Sequence, residues 1–410
     1  MKERLCRFCN HKLTTTFVDL GMSPLSNAFV SEEQANQLEI FYPLHAYVCG
    51  KCFLVQLEEF ESPKNIFNDY VYFSSYSESW LKHAKDFVSM IVPKLGLTEH
   101  SSVIEIASND GYLLQYFKPY NIPVLGIEPA ENVSEKARER GINTITSFFN
   151  SETARRLESE NIKADLIIGN NVLAHVPNLC DFVQSLKTIL KPHGVITMEF
   201  PHLLRLIQNN QFDTIYHEHF SYFSLLTVKK IFQFFELEIF NVEEIPTHGG
   251  SLRIYAKHME DQTKKIEESI NLLLEKEIEF GLNHLETYFS FSEKVKETKR
   301  VLLDFLIKIK RESKTVVGYG APAKGNTLLN YCGIRNDFID YTVDKNLMKQ
   351  GMFLPGTHVP IYAPEKIKET KPDYILILPW NIQEEVIEQI SYAKEWGCKF
   401  ILVIPTLTVI

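Results

Sequence analysis

Twelve consecutive residues carry the densest set of reactive side chains in the chain: Asp213-Thr214-Ile215-Tyr216-His217-Glu218-His219-Phe220-Ser221-Tyr222-Phe223-Ser224. A buried strand would be apolar here, and a solvated face would carry Lys and Glu rather than aromatics. Histidine titrates near neutral pH, so His219 can take a proton and return it. Glu218 beside it can orient the imidazole, and the Tyr216 hydroxyl can donate to a developing oxyanion. A single histidine would be read first as part of a hydrogen-bonded polar turn. The whole cluster reads better as acid–base machinery. His-Glu-His also invites a metal, but the spacing departs from the helical H-E-x-x-H zinc motif.

Four of the seven cysteines fall in two pairs, Cys6-x-x-Cys9 and Cys49-x-x-Cys52. Each pair can turn two thiolates onto one ion, and two pairs complete a tetrahedral zinc shell. Disulfides and a redox CxxC are the competing readings. A reducing compartment disfavours the first, and two copies are not needed for the second. With four protein ligands the metal has no open position, so its expected role is folding rather than chemistry. Cys180, Cys332 and Cys398 are isolated and read as buried small hydrophobes.

These groups need elements to position them. At 410 residues the chain is long enough for two or three domains, and its 45% apolar content permits large cores. The net charge of −9 argues against broad binding to nucleic acid or to an anionic membrane. Met-Lys-Glu-Arg-Leu at the start has no apolar stretch behind it, so no signal peptide is expected. No apolar run reaches the roughly 20 residues of a membrane span, and the expected location is cytoplasmic. The run Phe400 to Ile410 reads as a buried strand.

Ser102 to Leu114 reads as strand, tight loop and helix, with Gly111 alone where the nucleotide-binding fingerprint has three glycines. A second strand ends in Glu128, placed to accept both hydroxyls of a ribose. Ala164 to Pro177 gives a strand ending in polar Asn170, Asn171 and His175. Leu190 to Glu199 gives a turn and a further strand. This alternation predicts a parallel sheet with helices on both faces. Trp80 to Val92 has helical periodicity, stopped at Pro93. Ahead of it, Asp69 to Ser77 is dense in tyrosine and serine and reads first as a packed loop, although it could line a polar pocket. Glu260 to Lys314 reads as long helices, with Ile266, Ile270, Leu273, Leu274 and Ile278 on one face. Thr315 to Gly320 opens a second α/β unit whose next strand ends in Asp344. The string Thr247-His248-Gly249-Gly250-Ser251-Leu252-Arg253 fits either a phosphate approach or a turn entering a strand.

The set Glu105…Gly111, Glu128 and Asn170…His175 resembles class I S-adenosylmethionine-dependent methyltransferases. Adding the four cysteines, Asn109-Asp110-Gly111, Tyr216-His217-Glu218-His219 and Gly318-Tyr319-Gly320-Ala321-Pro322-Ala323-Lys324-Gly325-Asn326, the whole chain resembles the sugar C-methyltransferases of nucleotide-linked 4-keto-6-deoxy sugars. One departure is Ala107, where glycine is more common.

The resemblance implies an α/β chain with a small zinc-binding domain (1–65), a doubly wound methyltransferase domain (66–245), a connecting strand and helices (246–314), and a C-terminal Rossmann-like domain (315–410) closing over the nucleotide sugar. It implies S-adenosylmethionine as cofactor, on Glu105, Ala107, Asn109, Gly111, Glu128 and Asn170, with adenine near Phe148 or Phe149. The implied active site is Tyr70 or Tyr72, His175, Tyr216, Glu218 and His219. Ser251, Arg253, Lys324 and Asn326 are implied substrate contacts. One structural zinc is expected, with a dTDP-linked sugar as substrate and a monomer or homodimer as the assembly. The rivals are an O-methyltransferase of another small molecule, a zinc-containing nucleic-acid methyltransferase and a non-catalytic scaffold. The second lacks a basic stripe, and the third has no use for the Tyr-Glu-His cluster.

Overall fold

The computed structural model describes residues 3–62 and 74–410. Tyr70 and Tyr72 lie outside the described residues.

The central sheet has seven strands in the order Leu237–Ile245, Ser251–His258, Leu190–Pro201, Ala164–Asn170, Val103–Ile106, Val124–Glu128 and Thr144–Thr146. The strands from Leu190–Pro201 to Thr144–Thr146 pair in parallel. Their apolar runs are buried because helices cover both faces: Ile104, Ile106, Leu166, Ile167, Ile168 and Ile196 are all sealed from solvent. The all-parallel expectation is corrected at one end. Ser251–His258 inserts antiparallel between Leu190–Pro201 and Leu237–Ile245, so this segment belongs to the sheet instead of connecting out of it.

The cysteine-bearing N-terminus forms a four-stranded antiparallel sheet, Thr15–Ser23, Tyr42–Val48, Val55–Leu57 and Ser221–Tyr222. Its last strand comes from the reactive stretch, so the two are stitched together. The C-terminal sheet runs Ile361–Tyr362, Thr342–Val343, Val316–Tyr319, Tyr374–Ile377, Lys399–Leu402 and Thr408–Val409. It is parallel except for the last pair. The expected single strand over Phe400 to Ile410 is therefore two short ones, broken at Pro405, and the second is exposed.

The helix Glu78–Leu95 does not stop at Pro93. Proline removes one bond in the final turn, and the helix closes instead at Gly96 in the left-handed region, φ 62°. Its first turn is capped by Ser77 Oγ, which accepts from Trp80 N at 3.3 Å. In the Glu268–Phe280 helix, Ile270 and Leu273 are buried, whereas Ile278 is exposed, and Ile266 lies ahead of it in the open. The long helix Leu285–Arg311 joins the N-terminal and C-terminal sheets, with Phe291 stacked on Phe17 at 4.6 Å. Cys332 and Cys398 are buried as expected, and Cys180 is half-buried. No helix among the described residues is long and apolar enough to cross a membrane.

Candidate active site

The four paired cysteines converge. Cys6 and Cys52 Sγ lie 3.6 Å apart, Cys9 and Cys49 3.5 Å, and Cys9 and Cys52 3.7 Å. A tetrahedral zinc with Zn–S bonds of about 2.3 Å spaces its sulfurs about 3.8 Å apart, so the cluster fits that ion. All four sulfurs lie within 4.8 Å of one another. Lys51 N and Gln56 Nε2 donate to Cys49 and Cys6 Sγ, as thiolate ligands require.

A cavity of about 760 Å³ opens where the three sheets meet. One end of it belongs to the central sheet, at the C-terminal ends of its strands, where open α/β sheets bind ligands. There the loop after Val103–Ile106 holds three residues in the left-handed region: Ala107 at φ 55°, Asn109 at 48° and Gly111 at 75°. Two of them bear a Cβ, which costs about 1–2 kcal/mol each. That strain is held by Glu128, whose Oε2 accepts from Asn109 N at 2.9 Å and Oε1 from Ala130 N at 3.0 Å. Each carboxylate oxygen keeps a second lone pair, which suits the two hydroxyls of a ribose. Ala107, Asn109, Glu128, Phe148 and Asn170 line the cavity, and Phe148 is part-exposed at its edge while Phe149 packs against Phe182.

Glu105 and Gly111 do not line it. Glu105 lies beneath the loop, its carboxyl pushed well above the usual range by burial and by Glu128. Gly111 is required by the turn and by a close approach: a Cβ there would lie 2.8 Å from Ile142 Cγ1.

Burial raises the Glu128 carboxyl to about 7 against the two backbone N–H groups that stabilise its charge. For a ribose held by Glu128, the ionised form is the better acceptor from its two hydroxyls. Affinity for S-adenosylhomocysteine should therefore rise between pH 6 and pH 8. Glu128→Ala should weaken it roughly ten- to hundredfold, the usual worth of a charged acceptor. Calorimetry on the two proteins at both pH values checks this, and unchanged affinity in the variant would displace the ribose from Glu128.

At the other end of the cavity stand His219, His175, Tyr216 and Glu218. The His219 and Tyr216 rings lie 4.0 Å apart, and His219 and His175 4.7 Å. His219 Nδ1 lies 2.8 Å from the Thr214 carbonyl oxygen. A carbonyl only accepts, so Nδ1 carries the proton and Nε2 the lone pair. Glu218 does not orient His219 as expected: its Oε1 accepts from Asn27 Nδ2 at 2.7 Å, and burial raises its carboxyl to about 7. Thr214 takes the orienting role, and it lies in the same loop.

Desolvation drives His219 well below its ordinary value, with His175, His248 and Lys324 adding repulsion. His175 is pushed down to about 4 by desolvation, against a hydrogen bond to the Glu218 backbone carbonyl. Both rings are neutral near pH 7. The loop is held from three sides. Phe220 N donates to Ala174 O at 2.7 Å, Leu57 N to Phe220 O at 3.0 Å, and Trp380 Nε1 to Asp213 Oδ2 at 2.6 Å.

Lys324 also lines the cavity, with Nζ 2.7 Å from Asn381 Oδ1 and 4.6 Å from the Trp380 ring centre. Desolvation lowers it to about 8, and Asp213 opposes the fall. The other three expected substrate contacts do not reach the cavity. Arg253 is buried in a pair with Glu199, Nε to Oε1 at 2.7 Å, and bonds Glu243 at 2.9 Å. Ser251 bonds Thr247 O, and Asn326 pairs with Asn330 within one helix. Cavity residues that the sequence did not single out as site residues include Asn27, Asn171, His248, Lys349 and Asn381. Of these two carried a signal: Asn171, among the polar residues that end a strand, and His248, a histidine followed by two glycines.

Three family descriptions match the chain in succession: a domain described as zinc binding over 6–67, a methyltransferase domain over 80–242, and a C-methyltransferase C-terminal domain over 246–405. The chain is 33% identical over 405 residues to the C-methyltransferase NovU of Streptomyces niveus, covering 99% of this chain and 96% of that one. It is 32% identical over 104 residues to a ubiquinone biosynthesis O-methyltransferase of Actinobacillus pleuropneumoniae, covering 23% of this chain and 43% of that one. An S-adenosylmethionine-dependent methyltransferase structure from Clostridium acetobutylicum superposes on 43% of this chain and 92% of its own, at 14% identity and a TM-score of 0.35.

Proposed function

The chain belongs to the S-adenosylmethionine-dependent C-methyltransferase family, and from that premise we propose that it methylates a ring carbon beside the ketone of a dTDP-linked 4-keto-6-deoxy sugar, at C3, in branched deoxysugar biosynthesis. The observation that carries this reading is the His219 tautomer: Nδ1–H is committed to Thr214, and a neutral Nε2 is left in a ring lining the cavity.

A ketone acidifies the hydrogen on the adjacent carbon. His219 Nε2 removes that proton, and the enolate carbon becomes the nucleophile. The cofactor supplies an electrophilic methyl group, bound by Glu128 and the strained loop. Tyr216 stands beside the base, where its O–H can hold the oxygen that gains charge, while neutral His175 spends its one N–H on the Glu218 carbonyl and braces the loop. Lys324 and Lys349 bring positive charge to the C-terminal wall, as a diphosphate would require. The four-cysteine zinc supports the fold and has no open position for substrate.

The test is turnover of dTDP-4-keto-6-deoxyglucose with carbon-13 methyl donor. Carbon-bound and oxygen-bound methyl groups differ in chemical shift, so the product spectrum separates C- from O-methylation and locates the carbon. Methyl on oxygen, or at C5, would overturn the corresponding part of the proposal.

A further inference from the structure

His248 lines the cavity, and the chemistry above leaves it unused. Its backbone sits in the left-handed region at φ 53°, an unfavourable place for a residue with a Cβ. Gly249 and Gly250 follow at φ 87° and 116°. A Cβ on the first would lie 2.5 Å from the Trp380 ring, and on the second 2.8 Å from Arg205 Cγ. This tight, strained turn holds an imidazole in the cavity, and strain of this kind clusters at functional positions.

The ring is fixed on two sides. The Trp80 ring meets it edge-on at 5.3 Å, and Asn171 Nδ2 donates to Nε2 at 3.2 Å. An Nε2 that accepts places the ring proton on Nδ1. Asn171 is the hydrogen-bond partner of the ring among the described residues, and it sits on the Nε2 side. The residue after His248, Gly249, packs on Trp380, which lies under Lys324 Nζ and donates to Asp213 of the His219 loop. The ring thus faces the acceptor side.

We propose that His248 is a substrate-binding residue whose Nδ1–H donates to an oxygen on the sugar ring being methylated. The proposal rests on the 4-keto sugar reading given above. It assigns His248 to acceptor recognition and leaves the cofactor to the Glu128 end.

The experiment compares wild type, His248→Phe and His248→Asn with dTDP-4-keto-6-deoxyglucose, and measures S-adenosylhomocysteine affinity in parallel. Phenylalanine keeps the ring against Trp80 and removes the donor. Its KM for the sugar should rise roughly five- to thirtyfold, the worth of one hydrogen bond, with cofactor affinity unchanged. Asparagine tolerates the left-handed backbone and keeps an N–H, so its KM should fall between the two. If His248→Phe does not fold, His248→Asn decides: a KM equal to that of wild type overturns the proposal. An unchanged KM in a folded His248→Phe also overturns it while the sugar reading stands, as does a loss confined to cofactor affinity. A wild type that binds S-adenosylhomocysteine and methylates no 4-keto sugar overturns both.

Discussion

Replacing His219 by glutamine should lower turnover about a hundred- to ten-thousandfold, the usual worth of a general base, while S-adenosylhomocysteine and the nucleotide sugar still bind. Nδ1 is held by the Thr214 carbonyl, so the loss falls on Nε2. The sign of the pH dependence follows from the direction of its shift. A histidine driven well below its ordinary value is already deprotonated at pH 6, so His219 itself contributes no acid limb between pH 6 and pH 8. Two cavity carboxyls are raised to about 7: a limb due to Glu128 should vanish when cofactor saturates, and one that persists belongs to Glu218. In deuterated water without methyl donor, exchange into the sugar would mark the carbon that is deprotonated, and His219→Gln should abolish it. A variant that methylates at the wild-type rate removes His219 as the base. His175 would then be the candidate, because His217 does not line the cavity and its Nε2 is bonded to Pro43 O at 3.3 Å.

Local signals read correctly where chemistry repeats at short range. The two Cys-x-x-Cys pairs state their own geometry, and the alternation of apolar strands with amphipathic helices states the sheet. The place of Glu128 at the cavity was legible because an acid ending the second strand lies beside the loop that follows the first. Two errors share a different cause. The strand Ser251–His258 reads as a connection because nothing in its residues says that it pairs backwards with Leu190–Pro201. Arg253 reads as a phosphate contact because a Gly-Gly-Ser-x-Arg string looks open, and its true partners lie far away in sequence, Glu199 54 residues distant.

The same limit applies within the site. Glu218 sits next to His219 in sequence, which suggested that it orients the ring. Neighbours in an irregular loop point different ways, and Glu218 instead meets Asn27, 191 residues earlier. The C-terminal wall of the cavity was invisible for the same reason. Trp380 meets Asp213 across 167 residues, a pairing that only the packing of three sheets around one cleft creates.

Stripping zinc should remove both the N-terminal fold and the activity. The ion's contribution is large: structural zinc sites bind with about 10–16 kcal/mol, comparable to the whole stability of a domain at about 5–15 kcal/mol. Cys6, Cys49 and Cys52 are buried in the main core, so an unliganded cluster would leave thiols without their partner inside it. The damage should spread along Arg7. Its N–H bonds Gln56 Oε1, Gln56 bonds Cys6 Sγ, and its guanidinium bonds the carbonyls of Pro177 and Leu57. The same guanidinium lies 5.5 Å from the Phe220 ring centre. Pro177 is two residues past His175, and Phe220 follows His219, so the knuckle braces both histidines. Elemental analysis should find one zinc per chain. Chelation, or Cys49→Ser, should lower the melting temperature, expose the first 60 or so residues to trypsin and cost solubility before chemistry can be assayed. A protein freed of zinc that melts and turns over as before would remove the metal from the fold.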